Sequence, residues 1–224
     1  MAHRNFKNKS FKRKKKRKPL KKLFLIACEG KKTEPNYIED LVQSEKDARK
    51  IAAGSKVLIV NHQHTDPCGV LDDLLLDPNY EYAEQRWIVI DRDAVENIKS
   101  KNGGHTQENF DTALSKSSKE GVDVAFSNPC FELWLILHFE YRDSASSRYD
   151  VQRKALELLK KNKILKPNAS LDDLKAKKGL YSALGEKKLA NAMKNAEKLC
   201  KKNGASCQNP CTTFHKLINA INDL

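Results

Sequence analysis

Several things are missing from this sequence, and each absence excludes a class of protein. No apolar run is long enough to span a bilayer; Phe131 to Phe139 is nine residues and is already interrupted by Glu132 and His138. A membrane role is therefore not expected. The N-terminus has no apolar segment of the signal-peptide kind, which makes the cytoplasm the expected compartment. In that setting the six cysteines read as reduced thiols rather than disulfides. Residues 1–22 contain no acid and almost nothing that could be buried, so they cannot build a core. Phe6 and Phe11 are too sparse there to serve as a stacking surface for bases.

What is present is unevenly placed. The formal net charge is +13 over 224 residues, but residues 1–22 hold twelve of the forty-two Lys and Arg. The rest carries thirty bases against twenty-nine acids, a net of +1. The chain is thus a nearly neutral globule with a disordered polycationic arm, densest at Lys12, Arg13, Lys14, Lys15, Lys16, Arg17 and Lys18. Such an arm is drawn to nucleic-acid phosphates by charge and counterion release, without sequence preference. A solvated solubility tail and an arm for an acidic protein are the alternatives.

The stretch Leu23 to Glu34 organises the rest. Leu23 to Cys28 is unbroken apolar sequence, the mark of a strand buried on both faces of a parallel sheet. Gly30 supplies a turn, Thr33 a helix cap and Pro35 a first-turn residue; Tyr37, Ile38, Leu41 and Val42 then recur at helical spacing. Glu29 stands at the carboxyl end of the strand, the edge where open parallel sheets place their ligands. Trp87 to Ile90 is a second such run and ends in Asp91-Arg92-Asp93. Residues two apart on an extended chain face the same way, so Asp91 and Asp93 present two carboxylates together. If their strand adjoins that of Glu29, three acids converge. Like charges so close call for a proton or a cation, and an all-oxygen set suits Mg²⁺ or Mn²⁺.

Between and after these lie further strands and helices. Lys56 to Asn61 reads as a strand, followed by His62 and His64, which are taken as loop residues before ligands. Pro67-Cys68-Gly69 is expected to break the chain before a short helix beginning at Val70. Thr106 caps a helix stopped by Gly121; Val122 to Phe126 is a fourth strand. It leads through Asn128, a helix cap, and Pro129 into an apolar helix over Phe131 to Tyr141. Strands alternating with helices four times indicate an α/β fold, a parallel sheet of about four strands with right-handed crossovers. Residues 23–142 form this core. Residues 142–149 are a polar linker, and 143–224 read as a helical extension packed on the core. Its stripes are Val151, Ala155, Leu158, Leu159 and Leu189, Ala192, Met193, Ala196, Leu199. Ser170 with Asp173 starts a short helix ending at Gly179, and Asn209-Pro210 opens a last one. Cys207, Cys211 and His215 suggest zinc, but their spacing matches no usual finger, and cysteine as a small core residue is the preferred reading.

With these motifs in view the chain resembles the RloB family, a branch of the Toprim-fold proteins. The resemblance rests on residues 28–37 (Cys28-Glu29-Gly30 through Asn36-Tyr37), on Asp91-Arg92-Asp93, on residues 127–134 (Ser127-Asn128-Pro129 through Trp134) and on Asn209-Pro210-Cys211-Thr212. It implies a Toprim, Rossmann-like core in which Glu29, Asp91 and Asp93 hold Mg²⁺ or Mn²⁺. In the related overcoming-lysogenization-defect nucleases a second glutamate follows the first by four residues; Glu34 follows Glu29 by five and is the matching candidate ligand. Lys32 would take part in catalysis and Lys31 in phosphate binding at the helix entrance. Asn128 and Glu132 would support the ligands from behind. The family is associated with restriction and abortive-infection loci, often beside an ATPase partner. The expected activity is a metal-dependent nuclease on DNA or RNA in anti-phage defence; the alternative is a non-catalytic nucleic-acid-binding or regulatory subunit.

Overall fold

The computed structural model describes residues 22–52, 54–92, 105–203 and 208–224. The arm, including Lys12 to Lys18, lies outside them, as do Asp93 and Cys207. The first strand, β1, is Leu23–Cys28, and helix α1 is Thr33–Asp47. β2 (Lys56–Ile59), α2 (Pro67–Leu75), β3 (Gln85–Asp91), α3 (Gln107–Glu120) and β4 (Asp123–Asn128) follow. The remainder is α4 (Glu132–Leu137), α5 (Arg148–Lys161), α6 (Leu171–Ala176), α7 (Leu180–Leu184), α8 (Glu186–Asn203), a two-residue strand β5 (Cys211–Thr212) and α9 (Phe214–Asn222). The sheet order is β2-β1-β3-β4-β5, parallel except for β5, which runs antiparallel to β4. The fold is α/β, with helices on both faces of a mostly parallel sheet.

The continuous apolar runs do what two-faced burial requires. From β1, Phe24, Ile26 and Cys28 enter one core and Leu25 and Ala27 the other; from β3, Trp87 and Val89 oppose Ile88 and Ile90 in the same way. The second face is closed by α2 and α3 through Val70, Leu71, Leu74 and Phe110. The first face is closed by α1 together with helices from beyond residue 148, including Leu159, Leu180, Leu199 and Leu217. Tyr37 of α1 is the joint. Fully buried, it meets Phe131, Trp134, Tyr181 and Phe214 edge-on at 5.7–6.4 Å between ring centres, and its hydroxyl lies 3.2 Å from His138 Nε2.

Several local expectations need correction. Thr33 is the first residue of α1, not its cap: Lys32 holds that position, and its carbonyl accepts from Asn36 N–H at 2.9 Å. Pro67 opens α2 instead of breaking the chain, because Asp66 caps it by accepting from Gly69 N–H at 3.1 Å. Asn128 caps no helix. Pairing with Cys211 carries β4 past Phe126 to Asn128, so α4 begins later, at Glu132. α4 also stops early, at Leu137, because side chains take its carbonyls: the His138 ring lies 2.9 Å from that of Trp134, and Asn195 donates to that of Leu137 at 2.9 Å. α6 ends at Ala176, and a separate α7 follows Gly179. Asn209-Pro210 leads into β5, not into a helix. Thr106 and Gly121 bound α3 as expected: Thr106 Oγ1 accepts from Asn109 N–H, and Gly121 has a left-handed φ of 64°. Cys28, Cys68, Cys130 and Cys200 are free, but Cys211 is disulfide-bonded. That corrects the all-thiol expectation and removes Cys211 as a zinc thiolate. β5 and α8 bring sulfurs together here: Cys211 Sγ is 3.7 Å from that of Cys200.

Candidate active site at the carboxyl edge of the sheet

β1 and β3 are hydrogen-bonded neighbours, with Cys28 opposite Val89, so Glu29 and Asp91 leave the sheet side by side. The backbone of Asp91 donates its N–H to Glu29 Oε2 at 2.9 Å, and Glu29 N–H donates to Val89 O at 2.9 Å. Two strand ends are thereby locked to one register. Asp91 shares the face of Trp87 and Val89, which turns it toward α1 and the later helices. It is 7% exposed.

Two further acids join from helix starts. Glu34, in the first turn of α1, is 6% exposed and folds back over the turn at Gly30; a Cβ on Gly30 would collide with its carboxylate. Glycine leaves room for that carboxylate. Glu132, in the first turn of α4, is 4% exposed. The longer spacing of Glu34 from Glu29 thus does not take Glu34 away from the edge.

The electrostatics record this crowding. Burial, and then repulsion from Glu34, push Glu29 up to about 8, against the pull of the Asp91 N–H and of Arg148. Burial, and then repulsion from Glu132, push Glu34 up to about 7. Asp91 is raised well above the ordinary carboxylate range by burial and by Glu34, Glu29 and Glu132 in turn. His105, whose Nδ1 lies 3.8 Å from Glu29 Oε1, is lowered by burial and adds no full positive charge near neutral pH.

A cleft of about 560 Å³ is lined by Asp91, Glu34 and Glu132, with Glu29 behind its lining. Lys31 and Lys32 stand exposed at its α1 side, as expected for residues at the helix entrance. Arg148, Asp172 and Lys175 of the helical extension line it with them. Arg148 and Lys175 were missed: the first looks like the end of a polar linker, and the second like a solvated helix residue. No spacing in the sequence places either beside Glu29. Asn128, 8% exposed at the end of β4, does not line the cleft. The two histidines after β2 are held in the loop. His62 Nδ1 lies 3.1 Å from Cys28 O, and His64 Nδ1 lies 2.6 Å from Asp73, which also accepts the backbone N–H of Gln63 and His64.

The donor chemistry of this edge fits a hard divalent ion: the donors are oxygens, and their raised proton affinities are what a bound dication would reverse. Among the described residues no group of three or more His, Cys, Asp or Glu is placed so that it could hold a metal ion as it stands. Glu29 is instead tied to the Asp91 backbone. Also among the described residues, no helix is long and apolar enough to cross a membrane.

No curated protein and no solved structure matches this chain significantly. The profile of the family described as RloB-like protein does, over residues 24–221, which spans every strand and the edge where the acids meet. The chain belongs to the RloB-like family.

Proposed function

We propose that this protein is a Mg²⁺- or Mn²⁺-dependent nucleic-acid phosphodiesterase with a Toprim-like core, acting in the cytoplasm in prokaryotic anti-phage defence. The observation that carries the reading is the pairing of Glu29 and Asp91 on neighbouring strand ends, with Glu34 and Glu132 crowded onto the same edge. Glu29, Asp91 and Glu34 would hold the ion, with Asp93 next along the chain. Bound there, the ion would supply Lewis-acid polarisation of the phosphate and of an attacking water. Lys31 and Lys32 offer charge to the phosphate from the α1 entrance of the cleft. Glu132 keeps the electrostatic demand for a cation high by repelling Glu34. The polybasic arm would gather nucleic acid by charge alone, and an ATPase subunit is a candidate partner.

One observation favours the other reading, a non-catalytic nucleic-acid-binding or regulatory subunit. The Glu29 carboxylate already has a structural task in accepting the Asp91 N–H. A cleavage assay on DNA, RNA and tRNA with Mg²⁺, Mn²⁺ or EDTA separates the two. The nuclease reading predicts metal-dependent cleavage by the wild type and a loss of about 10²-fold or more in Asp91→Ala and Glu29→Ala. Equal activity in all three proteins would reject the site, and binding without cleavage of any substrate would favour the subunit. Removing residues 1–22 should lower affinity and flatten its dependence on salt while leaving metal binding intact.

A further inference from the structure

The cations that face the acids come from the helical extension, and the way they are held suggests what they bind. Arg148 opens α5 and Lys175 sits in the last turn of α6; both are half-buried and line the cleft with Glu34, Asp91 and the exposed Asp172. Arg148 acts on three acids at once, lowering Glu29, Glu34 and Asp91, and Lys175 also lowers Glu34. All three acids nonetheless stay raised.

Its backbone is fixed from a distance. The Asn209 carboxamide grips Ser146 on both sides: Oδ1 accepts from Ser146 N–H at 3.2 Å, and Nδ2 donates to Ser146 O at 2.9 Å. Arg142 donates to Ser146 Oγ at 2.5 Å, and Ser147 caps α5 by accepting from Asp150 N–H at 3.2 Å. Asn209 is itself tied to the sheet, because Cys211 pairs with Asn128 and the Ser127 and Thr212 hydroxyls lie 2.9 Å apart. An anion-binding group that must meet its ligand in one orientation needs such anchoring.

We propose that Arg148 grips a non-bridging phosphate oxygen of a nucleotide lying in the cleft, with Lys175 as a second charge and Asn209 as the residue that positions Arg148. The planar fork of arginine suits two phosphate oxygens at once, which a lysine cannot match. This rests on reading the cleft as a phosphodiester site and adds its anion-holding half.

The test is binding, not cleavage. Thymidine 3′,5′-bisphosphate is titrated into the full-length protein by calorimetry, with Ca²⁺ as the supporting ion. Losing a charge-assisted hydrogen bond predicts Arg148→Gln about 10-fold or more weaker than wild type, with Arg148→Lys in between. Asn209→Ala should weaken binding in the wild type but add nothing in the Arg148→Gln background, whereas a purely structural role would add in both. Should Arg148→Gln lose its fold by circular dichroism, Arg148→Lys carries the test. Wild-type affinity in a folded Arg148 variant, or no binding by the wild type, overturns the proposal. Arg148-dependent binding by a protein that cleaves nothing would sustain it and remove the nuclease reading. Cleavage with unchanged binding in Arg148→Gln would do the reverse.

Discussion

The two sides of the cleft are built differently. The acidic side is made by the sheet and the helices that leave its edge: Glu29 and Asp91 end adjacent strands, and Glu34 and Glu132 sit in the first turns of α1 and α4. The basic side includes Arg148 and Lys175, brought in from helices more than fifty residues beyond Asp91 and held there by packing and by Asn209. The acidic side is costly to keep, because burial and like charge disfavour its ionised forms. The core shared by α1 and the later helices holds that cost in check. Function here would depend on the extension as much as on the sheet.

The strongest way to break this arrangement is to remove its joint. Tyr37→Ala deletes the ring on which Phe131, Trp134, Tyr181 and Phe214 converge. It should cost about 3–5 kcal/mol and lower Tm by roughly 10 °C. Tyr37→Phe, which keeps the ring, should cost only about 1 kcal/mol. Equal losses from the two changes in urea unfolding would mean that the hydroxyl, and not the ring cluster, seats the extension.

A second effect is sensitive to pH. Burial holds His138 down to about 4 from an ordinary 6.5, with the charge of Lys188 acting in the same direction and the Trp134 carbonyl opposing it. The folded ring thus stays neutral where the unfolded chain takes up a proton. Its contribution is fully present above about pH 6.5 and is lost as pH falls toward 4. At about 1.4 kcal/mol per unit, the fold should lose on the order of 2 kcal/mol between pH 6.5 and 5 from this group. His138→Gln should show a smaller difference between pH 7 and pH 5 in urea unfolding than the wild type. The same difference in both proteins would remove His138 from the account.

The smallest effect on stability belongs to the most local change. Gly30→Ala places a methyl where the Glu34 carboxylate lies, and that flexible end can swing away. Stability should change by less than about 1 kcal/mol, while Mn²⁺ affinity falls several-fold because Glu34 is displaced. Unchanged Mn²⁺ affinity would show that Glu34 plays no part in holding the ion.

The difference between the two sides also explains what could be read in advance. Continuous apolar runs mark β1 and β3 as buried parallel strands; that the two are neighbours, and so bring Glu29 and Asp91 together, is a matter of sheet order that the runs leave open. Thr106 and Gly121 mark α3 because caps are local chemistry. The course of the chain after residue 126 is not local. β4 extends to Asn128 because β3 pairs with it as far as Ser127 and a two-residue strand arrives from residues 211 and 212, and no propensity within residues 120–135 records that. Arg148 and Lys175 are likewise ordinary solvated residues in sequence, and only the docking of α5 and α6 makes them part of a cleft.

The central claim, that strand-end acids gather a divalent cation at this edge, is tested most directly by anomalous diffraction from crystals soaked in Mn²⁺. The account predicts a strong peak within direct coordination of Glu29 and Asp91, lost in Asp91→Asn crystals. A soaked wild-type crystal with Mn²⁺ bound elsewhere and none at this edge would contradict it.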